Sequence, residues 1–235
     1  MLEANVKDAP VAYRNSRVVK AVSVLTNRTH FGAGMTLKRF REVKQRVGKP
    51  VLRKDFITEE YQVFQSRAFG ADAILLMANV LTREELQRLS DTAFELGMDV
   101  LFETHSEAEL EDLPPRVEVV GINCRNFTNS SFRFARLLRD LWLFQTTDKS
   151  VKTARFEYVG KLPPNAIKVA ESGVHAGNCA AVFSKGFHAV LVGTSLLIDP
   201  RGITKALQEF EGALETVRQG DLATSGRDLW RAAVV

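Results

Sequence analysis

Cysteine is nearly missing from this chain. Its 235 residues include two, Cys124 and Cys179, and neither stands in a C-x-x-C or His-x-His spacing. A disulfide framework and a structural zinc site are excluded on that ground, and a reducing cytoplasm is the natural setting. Long apolar runs are missing too: nothing approaches the ~20 residues that span a bilayer. The opening residues MLEANVKDAP carry Glu3 and Asp8 and lack the apolar core of a secretory leader. Charge of one sign is scarce. Lysine and arginine number 32 against 28 aspartates and glutamates, a net of +4 with no long basic run. That balance does not call for nucleic acid, but it suits a small anionic substrate. No G-x-G-x-x-G turn, internal repeat, linker or low-complexity tract is present. What remains is 45% hydrophobic and 26% charged residues, the composition of a globular chain with a substantial core.

Short apolar runs alternate with longer amphipathic ones. The runs are Ala21–Leu25, Val51–Leu52, Ala73–Met77, Val100–Phe102, Val117–Ile122, Ile167–Ala170 and Ala189–Val192. They are too short for helices and rich in Val, Ile and Leu, so they read as buried parallel strands. Between them lie helical patterns at Thr36–Val47, Thr58–Phe69, Thr82–Leu96, Ser106–Leu110, His175–Lys185 and Ile203–Arg218. Two, at Thr82 and Ser106, open on Thr or Ser with Glu three residues on, and three close on Gly70, Gly97 and Gly186. Repeated strand-then-helix order predicts a closed (β/α)8 TIM barrel whose first strand is short or degenerate. An open doubly wound sheet is the alternative, without its usual glycine-rich turn. Leu2–Lys7 is the candidate for the missing strand. The barrel is expected over 1–218, with a C-terminal tail over 219–235 that Leu229 and Trp230 would dock. Asn126–Pro164, long for one crossover, is expected to hold a helix around Phe132–Phe144, a loop, and a short helix near Phe156–Gly160.

Polar groups follow these runs directly. Thr26-Asn27 comes after the first, Lys54-Asp55 after PVLR, Glu103 after VLF, and Asn123 after VVGI with Arg125 two residues on. Glu171-Ser172-Gly173 follows IKVA, and Gly193-Thr194-Ser195 follows AVLV. In a barrel these ends converge on one mouth. A lysine, two glutamates, an asparagine and an arginine there are equipped for acid–base work on an anion. The small residues of the last two turns suit phosphate, held by backbone N–H groups.

The segments PVLRKDFI, GADAILLMANVL, LFETHSEAEL, VGINCRNF, VAESGV and AVLVGTSLL, in this order, resemble indole-3-glycerol phosphate synthase of tryptophan biosynthesis. AVSVLTNRTHFGAG resembles that family's second strand and following loop. The resemblance implies a cytoplasmic carbon–carbon lyase (a carboxy-lyase) needing neither metal nor organic cofactor. It would close the ring of 1-(2-carboxyphenylamino)-1-deoxyribulose 5-phosphate, release CO2 and eliminate water to give indole-3-glycerol phosphate. It implies Lys54 as general acid, Glu103 as general base, and Asn123 and Glu171 as orienting groups. Lys7 would align with a second essential lysine. Arg125 would lie near the substrate carboxylate, with Asp55 and Phe56 also lining the substrate site. Ser172, Gly173, Gly193 and Thr194 would hold the phosphate. His105 and Cys124 read as structural. The expected partners are the phosphorylated substrate alone, with no nucleic acid and no membrane. The expected state is a monomer or weak homodimer, with association with other enzymes of the pathway as a further expectation.

One segment departs from the family's pattern. The family's first strand and loop run approximately E-V-K-x-x-S-P-S-x-G, whereas this chain has Ala4-Asn5-Val6-Lys7-Asp8-Ala9-Pro10. Asn5 replaces the glutamate and the Ser-Pro-Ser loop is absent. The chain therefore reads as a synthase with a shrunken first unit, a truncated synthase, or a homologue that binds phosphorylated ligand and regulates. A phosphosugar isomerase on the same barrel is a further alternative.

Overall fold

The computed structural model describes residues 3–27, 35–125, 150–222 and 232–234. Eight parallel strands close into a barrel in chain order. They are β1 (Val19–Leu25), β2 (Val51–Lys54), β3 (Ala73–Met77), β4 (Asp99–Thr104), β5 (Val119–Asn123), β6 (Ile167–Glu171), β7 (Ala189–Leu191) and β8 (Ala232–Val234). The α-helices are α1 (Glu3–Asn15), α2 (Leu37–Val47), α3 (Glu60–Ala68), α4 (Arg83–Glu95), α5 (Ala176–Ser184), α6 (Thr194–Leu197) and α7 (Ile203–Leu222). Single 3-10 helices cover Glu107–Asp112 and Thr153–Lys161.

Helix ends follow local chemistry. Thr36 Oγ1 accepts from the Arg39 amide at 3.3 Å and starts α2. Thr82 and Glu85 cap each other's backbone at the start of α4. Gly70 and Gly97, with φ of 92° and 70°, end α3 and α4 in a conformation that costs any side chain.

Alternation along the strands sorts side chains into two layers. Leu52, Leu75, Met77, Leu101, Val169 and Ala189 fill the barrel lumen. Val51, Ile74, Leu76, Val100, Phe102, Val120 and Ile122 point outward against the helices. Each such burial contributes about 1.5–3 kcal/mol. Shifting a strand by one residue would exchange the layers, so the register is strongly specified. In that register Lys54, Glu103 and Glu171 fall on the lumen phase.

The N-terminal expectation is corrected. Leu2–Lys7 is not a strand, since residues 3–15 form α1. Asn5, Ala9 and Tyr13 recur every four residues and are buried along one helix face. Pro10 reads in sequence as a breaker, yet it lies inside this helix at the loss of one backbone donor. Asn5 does not stand in for a strand residue. Its Nδ2 donates to the Leu197 and Asp199 carbonyls at 3.3 and 2.8 Å, satisfying acceptors left at the end of α6. Lys7 is exposed on α1, and no strand presents it to the barrel mouth.

The eighth strand comes from the opposite end of the chain. β8 lies parallel between β7 and β1, with Leu191 opposite Val234 and Ala21 opposite Val234. The boundary drawn at 218 falls inside α7, and Ala232–Val234 beyond it belongs to the sheet. The helix expected around Phe132–Phe144 and the docking residues Leu229 and Trp230 lie outside the described residues. A chain ending at Leu222 would expose the unpaired edges of β1 and β7. Thermal unfolding of that variant should show a Tm lower by at least about 5 °C, at about 2–4 °C per kcal/mol for this size. Light scattering should show association. An unchanged Tm would mean β8 contributes nothing to closure.

Candidate active site

The sequence R-K-D at the end of β2 divides its three charges between the two faces of the strand. Arg53 points outward. Its guanidinium donates to Asp55 Oδ2 at 2.9 Å, Gln65 Oε1 at 3.1 Å and Ser66 Oγ at 3.0 Å, and its Nε to Thr26 Oγ1 at 3.2 Å. Asp55 also accepts from Thr26 Oγ1 at 2.6 Å and from the Phe56 amide at 2.9 Å. Both Asp55 oxygens are thus engaged by the protein's own groups, and they tie β1, β2 and α3 together. Phe56 packs on the lumen cluster above β2.

Lys54 points inward and is buried. Its Nζ donates to Glu103 Oε2 at 2.5 Å and to Glu171 Oε2 at 3.0 Å. Glu103 and Glu171 are each only 1% exposed, so this is a three-member charge cluster inside the barrel. Sheet register supports it. Leu25 pairs with Lys54, Met77 with Glu103, Glu103 with Gly121, and Asn123 with Glu171. Gly121 is required by the cluster. A Cβ there would come within 2.0 Å of Glu171 Oε1. A side chain on β5 at this level would occupy the carboxylate's place.

Burial and mutual charge set the protonation. Burial works against the Lys54 cation, but the Glu103 and Glu171 charges outweigh it and hold the ammonium above its ordinary range. Burial alone would raise Glu103, yet Lys54, His105 and hydrogen bonds from Glu171 and Lys54 bring it down to about 2. Glu171 is raised to about 8 by burial, with the Lys54 charge opposing and the Glu103 charge adding. Near neutral pH the cluster is therefore an ammonium, one carboxylate and one carboxylic acid.

These shifts predict a pH signature. Glu171 is raised from 4.5, so its stabilising contribution is present below pH 4.5 and lost as pH rises through about 8. Glu103 is lowered, so its contribution is present above pH 4.5 and lost as pH falls toward 2. The unfolding free energy should decline between about pH 5 and pH 8 with a component of up to ~1.4 kcal/mol per unit. Chemical denaturation across that range should show this component in the parent and not in Glu171→Gln. Parallel curves would contradict the assignment.

Around the cluster, Asn123 Oδ1 accepts from the Arg125 amide at 2.9 Å. Arg155 Nη1 donates to the Asn123 and Arg125 carbonyls at 3.2 and 3.1 Å, shaping the turn after β5. Arg155 was not picked out in sequence; it lies in the 3-10 helix, thirty residues past Arg125. His105, read as structural, has Nε2 3.3 Å from Glu103 Oε1. Burial, with Arg155 and Lys54 adding, lowers His105 to about 4 against the pull of Glu103, so it is neutral at physiological pH. Its position two residues past Glu103 on β4 was the available signal. Cys124 packs in the outer core, and burial raises its thiol to about 12. Such a thiol is inert.

The last two turns lie together. Ser172 and Gly173 both take positive φ, 67° and 77°. Left-handed backbone at a serine is strained and is commonly found at ligand sites. A Cβ on Gly173 would meet Val151 Cγ1 at 2.5 Å. Ser195 Oγ donates to the Val174 carbonyl at 3.2 Å, joining the β6 turn to the turn Gly193-Thr194 that opens α6. Lys7 lies on α1, away from the strand ends that carry Lys54, Glu103 and Glu171, and Asp55 is turned to Arg53 and Thr26 instead of the lumen. Among the described residues, no group of three or more His, Cys, Asp or Glu is arranged to hold a metal ion.

Comparison with known proteins bears on these features. The family model for indole-3-glycerol phosphate synthase matches residues 1–210. The chain is similar to the indole-3-glycerol phosphate synthase of Bacteroides thetaiotaomicron, 34% identical over 196 residues, covering 83% of this chain and 67% of that protein. It is similar to that of Leptospira interrogans, 37% identical over 187 residues, covering 79% and 66%. The one from Nocardioides is 38% identical over 196 residues, covering 81% and 67%. The matches thus span about two thirds of the relatives' length. Among solved structures, 3-hexulose-6-phosphate synthase from Salmonella typhimurium shares the fold. Its TM-score is 0.63 at 15% identity, covering 92% of this chain and 97% of that one. By its sequence and by the lumen residues of its barrel, this chain belongs to the indole-3-glycerol phosphate synthase family.

Proposed function

We propose that the chain converts 1-(2-carboxyphenylamino)-1-deoxyribulose 5-phosphate into indole-3-glycerol phosphate. The observation that carries this reading is the buried Lys54–Glu103–Glu171 cluster at the strand ends of a family member's barrel. As the aromatic carbon bearing the carboxylate bonds to the ketose carbon, Lys54 gives its proton to the carbonyl oxygen. Loss of CO2 then restores the ring. Lys54, reprotonated from Glu171, gives the hydroxyl the proton with which it leaves as water, and Glu103, ionised, takes the proton released from the adjacent ring carbon. Glu171, protonated near neutrality and 3.0 Å from Lys54 Nζ, holds the lysine and can return a proton to it. Asn123 orients substrate hydroxyls. Arg125 lies near the substrate carboxylate, and the Ser172-Gly173 and Gly193-Thr194 turns take the phosphate through backbone N–H groups. A cytoplasmic setting goes with this chemistry.

A second reading rests on β8. In the family's pattern the strand in this part of the barrel carries a lysine, whereas Ala232, Ala233 and Val234 carry no ionisable group. One missing acid–base group costs ~10²–10⁴ in rate. The chain would then be a slow enzyme or a binder of the same ligand. The test is an assay of the purified chain, following indole fluorescence alongside calorimetric titration with the substrate. Turnover supports the synthase. Binding without turnover leaves the second reading. Neither binding nor turnover from folded protein overturns both.

A further inference from the structure

Among the described residues, Ser172 is the one residue other than glycine with a positive φ, 67°, and Gly173 follows at 77°. Two left-handed residues in succession do not hold themselves. An L side chain leaves that region unless its surroundings keep it there.

Two elements close on this turn. From α5, Asn178 Nδ2 donates to the Gly173 carbonyl at 2.8 Å, while Asn178 Oδ1 accepts from the His175 amide at 2.9 Å. From the other side come Val151 and Thr153. A Cβ built on Gly173 would stand 2.5 Å from Val151 Cγ1 and 3.2 Å from Thr153 Cγ2. Two branched side chains thus fill the face of Gly173 where its own side chain would be. Val151 is 42% exposed, so burial in the core does not account for its place.

The segment carrying Val151 is itself fixed, and not to β6. Val151 bridges antiparallel to Arg125, and the Lys152 amide donates to the Cys124 carbonyl at 2.8 Å. The Arg155 amide donates to the Lys152 carbonyl at 3.0 Å, and its guanidinium holds the Asn123 and Arg125 carbonyls. This short strap is therefore anchored through its backbone to the turn after β5. Through the Val151 side chain it presses on the turn after β6.

We infer that Val151 is a positioning residue: its side chain holds the Ser172-Gly173 turn in the left-handed form that presents backbone N–H groups to the phosphate of the ligand. The inference rests on the proposed function and deepens it, since Val151 acts through the turn and touches no reacting atom. Without the branched side chain the turn relaxes in the free protein, and each phosphate-bearing ligand must first restore it. Affinity then falls by the fraction of molecules still in the competent form, whatever else the ligand carries.

The test compares Val151→Ala with Val151→Thr, which keeps the branched shape. Calorimetric binding of 1-(2-carboxyphenylamino)-1-deoxyribulose 5-phosphate and of inorganic phosphate is measured for each, with thermal unfolding as the check on folding. Val151→Ala should bind both ligands about 5–10-fold more weakly, by the same factor. Its turnover should show the loss in KM with kcat nearly kept. Val151→Thr should bind as the parent does. Gly173→Ala completes a double-mutant cycle. Alanine at a φ of 77° is strained in either background, but only the parent also sets its methyl against Val151. Gly173→Ala should therefore weaken phosphate binding less in the Val151→Ala background than in the parent. Parent-like affinity in Val151→Ala overturns the inference, as does weakening of the substrate alone, equal weakening in Val151→Thr, or an additive cycle. Each of these leaves the proposed function standing. A parent chain that binds neither ligand overturns the proposed function, and this inference with it.

Discussion

Lys54→Met should abolish measurable turnover, with kcat/KM falling by about 10²–10⁴-fold and the barrel still folded at mildly acidic pH. Methionine keeps the length of the side chain and removes the charge that both carboxylates share at 2.5 and 3.0 Å. Two effects then compete. Removing one partner of a buried ion pair costs about 3–5 kcal/mol when the other is left charged. Here the partners are carboxylates, and each can take up a proton. At pH 5 Glu103 and Glu171 can share protons and the loss should be small. At pH 8 at least one must ionise without a counter-ion in a barrel where each is 1% exposed. The destabilisation of Lys54→Met relative to the parent should therefore grow with pH, opposite to a simple cavity effect, which is flat. Denaturation midpoints at pH 5 and pH 8 read this directly. A variant as active as the parent would sink the proposed mechanism. An equal stability loss at both pH values would sink the charge account.

Gly121→Ala should damage activity more than stability. The added methyl would stand 2.0 Å from Glu171 Oε1 and 3.1 Å from its Cδ, so the carboxyl must leave its place. Moving it puts the 3.0 Å bond to Lys54 at risk, and Leu101 Cδ1, 3.4 Å from the same methyl, adds to the crowding. Overpacking of this kind costs about 1–3 kcal/mol. Lys54 would be left to Glu103 alone, and the proton on Glu171 would be out of reach. The expected result is a rate lowered by about 10²-fold, with a Tm reduced by about 2–10 °C. Loss of the apparent ionisation near pH 8 from the pH–rate profile would identify Glu171 as the displaced group. Parent-like activity and an unchanged profile would show that Glu171 does not act at this position.

Much of this site is legible in sequence because strand alternation is a strict period. A lysine after Val51-Leu52-Arg53, a glutamate after Val100-Leu101-Phe102 and a glutamate after Ile167–Ala170 each end an apolar run at the same phase. Parallel strands must then bring those ends to one mouth. The same periodicity says which of Arg53 and Lys54 faces inward only once a neighbour is known to line the lumen. That is a fact of packing.

Local signals alone were misleading at the N-terminus. Leu2–Lys7 reads as a strand because seven apolar runs leave a barrel of eight one short, but the four-residue spacing of Asn5, Ala9 and Tyr13 finds a partner surface only after α6 and α7 are in place. Nothing in residues 232–234 says that they close a barrel. A three-residue strand has too little pattern to announce itself, and its place depends on two unpaired edges, β1 and β7, far apart in the chain.

The sequence by itself determined the fold class, the family and the lumen groups Lys54, Glu103 and Glu171, because apolar period and charge placement are local. Only the tertiary structure decided that Lys7 is remote from them and that the end of the chain supplies the eighth strand. It also decided that Gly121 is empty space reserved for Glu171. The physical reason is that sheet closure and side-chain exclusion are settled between residues with no sequence proximity, by which surfaces remain to be buried once the rest has packed.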